Sequence, residues 1–344
     1  MKAGFMMFKT IKPEGAIDRC EIVLVGEAPS FKELQQGRPF VGPSGYVLNE
    51  CLQGAGINRA SCYITNVFPF QVKKGHGSSI LNRDGELLWK PKGGFSPLGQ
   101  EHVTRLGMEI AQTSAKIIVA LGATAADALC RKSSIMNWRG SVLPSTLVGN
   151  NKVMITVHPA AALRGQPLLK YLIRWDLRKA WEERHDRAPK RDDYEFILRP
   201  TFNQCIEYLT KLKRDKKPLA CDIEVNNRQC SRITFNWSET EGISIPYGDG
   251  NWSLDQEVQL WRKTAELLED ADVPKIFHNA AFDVQFLFMI HRILVQGQLD
   301  DTMIAHHIMY SDFPKGLYFL GSLYTNQPYW KSMVKHGDIE KSDG

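Results

Sequence analysis

Short apolar runs rich in Ile and Val alternate with longer amphipathic stretches through the first half of the chain. Four runs, at 21–26, 62–67, 116–121 and 152–157, show no polar face and are bounded by Gly, Pro or Asn. That is the pattern of strands buried on both sides. Helical spacing fills 44–55, 97–114 and 124–132, and a closing amphipathic helix is expected over 167–184. Such alternation implies crossover connections and a parallel four-stranded sheet between helical layers, an α/β/α sandwich. The stretch 71–94, with five glycines among lysines, is expected to be a mobile loop.

A charged, proline-containing stretch at 183–191 has no apolar period and marks the end of this pattern. We place a first domain at 1–186, a linker at 187–200 and a second α/β domain at 201–344. In the latter, helices are expected at 202–213, 254–268 and 280–292. Strands are expected at 219–225 and 275–278, with an antiparallel pair at 232–237 and 242–247.

The chain has 344 residues, a soft prior for two domains, and 43% hydrophobic content suits ordinary globular cores. No apolar run reaches the length of a membrane span, and the first ten residues lack the features of a signal peptide. Seven cysteines without a Cys-x-x-Cys pair point to a reducing compartment, so a cytoplasmic location is expected. Membrane, secreted and disordered classes are thereby set aside. The net charge of +5 divides unevenly: 24 basic and 15 acidic residues lie in 1–186, against 19 and 23 in the remainder. A basic first part suits a polyanion, and a carboxylate-rich second part suits divalent metals.

Ligands of open parallel sheets sit beyond the carboxyl ends of the strands. Those ends carry Gly26-Glu27-Ala28-Pro29-Ser30, Thr65-Asn66-Val67 and His158-Pro159, with residues 37–45 (GRPFVGPSG) in the loop after the first strand. An acid, an amide, an imidazole and an aromatic ring on one edge suit a flat heterocycle. The ordered set GEAPS, Glu33, GRPFVGPSG, YITN and TVHPAAALR resembles the family 4 uracil-DNA glycosylases over about the first 180 residues. The resemblance implies that a deaminated cytosine is flipped out of DNA and its N-glycosidic bond cut.

By that resemblance Phe40 stacks on the flipped ring, Asn66 reads the base edge and His158 donates to uracil O2 as negative charge develops there. Glu27 is the first candidate for positioning water or stabilising the sugar cation, and Glu33 the second. Each of these polar residues alone could equally satisfy backbone groups. The family's iron–sulfur cluster is not expected, because the cysteines lack the required close pair. Its Lys-Cys-Arg-Pro-Pro-like run is also replaced, here by Val67 to Lys74. Lys73, Lys74 and Arg164 are the candidate DNA contacts, with His76 beside them.

In the second domain Asp222-Ile223-Glu224 lies on an expected strand, so its two carboxylates share a face. His278-Asn279-Ala280-Ala281-Phe282-Asp283 and Asp300-Asp301-Thr302 follow at later junctions. Separated carboxylates of this kind can converge on two metal ions. The order resembles the 3′–5′ proofreading exonuclease of family A DNA polymerases, an incomplete ribonuclease H-like α/β domain. The resemblance implies Asp222, Glu224 and Asp283 as ligands of Mg²⁺ or Mn²⁺. The third motif, Tyr-x-x-x-Asp or its histidine counterpart, is absent, so weak or no exonuclease activity is expected.

The leading expectation is a DNA-acting hydrolase of phage-type architecture. A uracil-DNA glycosylase-like domain is joined to a partial exonuclease, with uracil-containing DNA and a polymerase chain or downstream polymerase domain as partners. The alternative is a module that binds uracil or template DNA without cutting it, leaving exonuclease as the only chemistry.

Overall fold

The computed structural model describes residues 8–149, 151–185, 194–248 and 250–329. They form two compact units. The described part of the first comprises 8–185 and 318–329, that of the second 194–317.

The central sheet of the first unit runs Cys62–Asn66, Ile22–Gly26, Ile117–Leu121, Lys152–Thr156 and Val142–Pro144. Its first four strands are mutually parallel and buried along their whole length, as their continuous apolar runs require. The fifth is a short antiparallel edge strand that the sequence pattern did not reveal. Helices Pro43–Gly54, Pro97–Ile110, Ala123–Cys130 and Leu169–Glu182 connect and flank these strands. Because Ile22–Gly26 lies between Cys62–Asn66 and Ile117–Leu121, the strand order reverses beside it. A crevice opens at such a switch point.

One expectation needs correction. The stretch 71–94 is not a loose loop but an antiparallel sheet of Lys73–Lys74, Ile80–Leu81, Leu87–Lys90 and Gly94–Phe95. Ile80, Leu88 and Trp89 are buried, and the Trp89 indole donates to Asp127 Oδ2 at 2.6 Å. Its strands span two to four residues, too short for a period to stand out among lysines and glycines.

The linker assigned to 187–200 has residues 187–193 outside the described set, and Glu195–Ile197 is a strand. Residues 318–329, assigned to the second domain, group with the first. There Ser322 accepts from the fully buried Arg139 at 2.8 Å, and Arg139 also pairs with buried Asp176. Lys179 donates to the carbonyls of Gly140 (2.8 Å) and Thr325. Burial brings the Lys179 ammonium down to about 8. Residues beyond 329 lie outside the described set.

The second unit holds a six-stranded sheet in the order Glu195–Ile197, Glu241–Pro246, Gln229–Asn236, Leu219–Asn226, Lys275–Phe277 and Leu299–Asp301. Three antiparallel strands meander at its centre, while Glu195–Ile197, Lys275–Phe277 and Leu299–Asp301 join in parallel. Helices Phe202–Asp215 and Leu254–Leu268 pack on each other, each opened by a reciprocal capping box, at Thr201/Gln204 and Ser253/Gln256. Cys205, Leu209, Phe235, Ile245 and Leu260 are among the side chains of its core.

Candidate active site

The crevice of the first unit is built on two glycines. A Cβ at Gly26 would stand 2.4 Å from the Asn66 side-chain oxygen and 2.7 Å from the Phe40 ring. A Cβ at Gly122, whose φ is 95°, would stand 3.0 Å from the His158 Cβ. The rings of Phe40 and His158 lie 5.7 Å apart at 30°. Phe40, Asn66 and His158, from three distant stretches, are therefore brought close together at the strand ends.

Phe40 is held in an unusual backbone. Its φ of 51° is costly for a bulky side chain, so the surroundings must impose it. Arg59 does so, donating to the carbonyls of Pro39 at 2.9 Å and Phe40 at 3.4 Å. Glu14 grips the same guanidinium at 2.8 and 2.9 Å, and Asn49 accepts from it at 2.7 Å. Hydrogen bonding to Arg59, foremost, holds the Glu14 carboxyl below its ordinary range.

Asn66 ends its strand buried, and Arg105 donates to its main-chain carbonyl at 2.7 Å and to that of Val67 at 3.0 Å. Among the described residues no hydrogen bond engages the Asn66 side-chain amide, which keeps both its donor and its acceptor for a guest.

His158 caps the short helix Pro159–Ala162, its Nδ1 accepting from the Ala160 N–H at 3.1 Å. Desolvation brings its imidazole down to about 4, with Lys74 and Arg164 adding to the effect against the opposing charge of Glu27. The ring is therefore neutral at pH 7. With Nδ1 accepting, Nε2 carries the proton and can only donate.

Glu27 sits at the mouth, its side chain 25% exposed. Its Oε1 accepts from Lys74 Nζ at 2.5 Å and its Oε2 from Thr124 Oγ1 at 2.8 Å. Glu33, the second acid candidate, is buried and accepts from the Ser30 N–H at 2.5 Å, a reciprocal cap on helix Phe31–Gln36. Lys73 is exposed and donates to the Arg83 carbonyl at 2.6 Å. Arg164 is exposed, its Nε 3.3 Å from the Ala160 carbonyl oxygen.

The sequence alone does not reveal Arg59, Glu14, Thr124 or the bond from Lys74 to Glu27. Thr124 carried a signal, since Gly122-Ala123-Thr124 directly follows strand Ile117–Leu121. Arg59 carried none.

In the second unit Asp222 and Glu224 share the outer face of strand Leu219–Asn226, alternating with buried Cys221 and Ile223. Asp283 is buried at the start of helix Ala280–His291, its Oδ1 accepting from the Ile223 N–H at 3.1 Å. Burial pushes the Asp283 carboxyl up to about 6, and raises Asp222 too, with Glu224 adding repulsion.

Asp301 has another duty. It accepts from the N–H groups of Asn279, Ala280, Met303 and Ile304, which together outweigh its burial and hold its carboxyl down.

The donor chemistry suits a hard divalent cation. Among the described residues, however, no three His, Cys, Asp or Glu side chains gather as ion ligands. Asp283 Oδ1 is engaged by the backbone N–H of Ile223, the residue between Asp222 and Glu224, while its second carboxylate oxygen makes no such bond among the described residues.

Comparison with known proteins bears on both units. The Uracil DNA glycosylase superfamily matches residues 13–184, and the 3′-5′ exonuclease family matches residues 200–335. The type-4 uracil-DNA glycosylase of Thermotoga maritima is 34% identical over 173 residues, covering 48% of this chain and 79% of the relative. That of Archaeoglobus fulgidus is 30% identical over 187 residues, covering 52% and 83%.

Among solved structures, the EXD2 exonuclease domain soaked in Mn is 17% identical with a TM-score of 0.26, and 33% of this chain spans 58% of it. Escherichia coli RNase D, an exoribonuclease, is 20% identical with a TM-score of 0.31, and 42% of this chain spans 36% of it. The expected fold class, a glycosylase-like α/β/α unit followed by a ribonuclease H-like α/β unit, is the one observed.

Proposed function

Because the chain belongs to the uracil DNA glycosylase superfamily, we propose that its first unit hydrolyses the N-glycosidic bond of uracil in DNA. The observation that carries this is the closure of the Phe40 ring, the Asn66 amide and the neutral His158 imidazole around Gly26 and Gly122. A uracil flipped from DNA stacks on Phe40. The Asn66 amide donates to O4 and accepts from N3–H. Cytosine presents the reverse polarity at those atoms, leaving donors against donors.

As the N1–C1′ bond breaks, negative charge collects on O2, and the Nε2–H of His158 meets it with no proton to be supplied first. Such a preorganised donor contributes several kcal/mol to the transition state, about 3 in known cases. Glu27, oriented by Lys74 and Thr124, faces the positive charge on the sugar and aligns the water that adds to C1′.

The second unit supports a DNA- or RNA-acting exonuclease reading at the level of its family match alone. With it, uracil-containing DNA is the preferred substrate class and a polymerase the inferred partner, in phage-type architecture. Mg²⁺ or Mn²⁺ remains the inferred ion of that unit.

The test is release of free uracil from single-stranded and duplex uracil-containing DNA. Release that falls to background in His158→Ala and Asn66→Ala supports the reading. Tight uracil-selective binding with the substrate left intact would overturn the enzyme in favour of a sensing module.

A further inference from the structure

We propose that Lys74 gives the glycosylase crevice a second activity, scission of the DNA strand at an abasic deoxyribose through an imine on its Nζ. This rests on the reading that the crevice receives a flipped nucleotide.

Four observations carry it. Lys74 Nζ lies 2.5 Å from Glu27 Oε1, the carboxylate at the mouth of the uracil crevice. The positive charge of Lys74, with that of Arg164, adds to the lowering of the His158 imidazole's basicity. The lysine side chain is 61% exposed, so an incoming sugar can reach it. Its backbone is not loose: Lys74 pairs with fully buried Ile80 in the small antiparallel sheet. The neighbouring Lys73 is directed elsewhere, to the Arg83 carbonyl. Most surface lysines are solvated charges; among the described residues Lys74 alone pairs its amine with Glu27, the carboxylate proposed to face the sugar.

Loss of uracil leaves a deoxyribose whose ring-opened form carries an aldehyde at C1′. Lys74 passes a proton to Glu27 and its nitrogen adds to C1′. The carbinolamine then expels water, taking the proton from Glu27, and an imine remains. The imine acidifies the C2′–H bond, and the freed Glu27 carboxylate removes that proton. The electron pair forms the C2′=C3′ bond and breaks C3′–O3′, releasing the downstream strand with its 5′-phosphate, and Glu27 passes the C2′ proton to the departing phosphate. Water then hydrolyses the imine, restores the amine and leaves an unsaturated aldehyde on the upstream 3′ end. The water lost in the first step equals that consumed in the last, and no redox partner is needed.

The experiment uses the full chain and an oligonucleotide carrying a preformed abasic site, so it does not depend on uracil release. Sodium borohydride should trap a covalent protein–DNA species, and peptide mass mapping should locate it at Lys74. Lys74→Arg, which keeps the charge beside Glu27 but cannot form the imine, should reduce the adduct to background. Lys90→Arg, at an exposed lysine of the same small sheet, should retain it. Absence of any adduct with the unmodified chain, an adduct that persists in Lys74→Arg, or one mapped to another residue overturns the proposal. Uracil release is measured separately: release without trapping overturns the lyase alone, and trapping without release overturns the glycosylase alone.

Discussion

The carbonyl oxygen of Phe40 lies 1.9 Å from where a Cβ on Gly45 would stand. Helix Pro43–Gly54 therefore admits the loop only because its third residue has no side chain, and that approach, with Arg59, holds Phe40 in its left-handed backbone.

Gly45→Ala should push the Phe40 loop away from the helix. Overpacking of this kind costs about 1–3 kcal/mol. We expect a lower melting temperature and a rise in KM for uracil-containing DNA larger than that produced by Gly37→Ala. Gly37, unlike Gly45, has positive φ, yet no atom stands within 4 Å of its absent Cβ. Thermal unfolding and uracil-release kinetics on both variants check this.

The neutral His158 sets an expectation for acid. Its folded-state value is depressed to about 4, so between the ordinary histidine range and pH 4 the unfolded chain binds a proton that the folded chain refuses. Stability contributed by this residue is thus present above the unfolded value and lost as pH falls, by up to about 2–3 kcal/mol. Uracil release should meanwhile show no acid limb near pH 6.5. Rate profiles at constant ionic strength, with unfolding measured for the parent chain and His158→Asn, test both signs.

Asp283 works in the opposite sense. Its carboxyl is raised to about 6, so ionisation becomes unfavourable to the fold as pH climbs from the ordinary carboxylate range through 6. In EDTA, Asp283→Asn keeps an oxygen for the Ile223 N–H and should stabilise the second unit by about 1–2 kcal/mol above pH 7. The gain should vanish near pH 4. Denaturant melts at the two pH values measure it.

The buried Arg139–Asp176 pair ties residues 318–329 into the first unit through Ser322 and receives the Thr156 hydroxyl at 2.7 Å. Arg139→Ala would strand the Asp176 charge, a loss of about 3–5 kcal/mol. Arg139→Met with Asp176→Leu should recover most of it. Urea melts of the two variants distinguish lost charge pairing from lost volume.

Much of the fold was legible along the chain because buried parallel strands need continuous apolar runs, whose boundaries can be seen without any partner. The strand-end positions of Asn66 and His158 followed from that, as did the alternation that separates Asp222 and Glu224 from Ile223. Ile80, Leu88 and Trp89 were missed because strands of two to four residues carry no measurable period. Residues 318–329 were assigned by sequence continuity, whereas a buried guanidinium's need for partners draws Ser322 to Arg139.

The order of residues by itself determined which chemical groups the first unit owns and at which strand ends they emerge, because local periodicity is a property of neighbours. Only the tertiary structure decided what those groups touch. It turned Lys74 onto Glu27, Arg59 onto the Phe40 loop and Asp283 onto the Ile223 backbone, pairings across 47, 19 and 60 residues. Contacts so remote are selected by sheet order and burial rather than by any spacing along the chain.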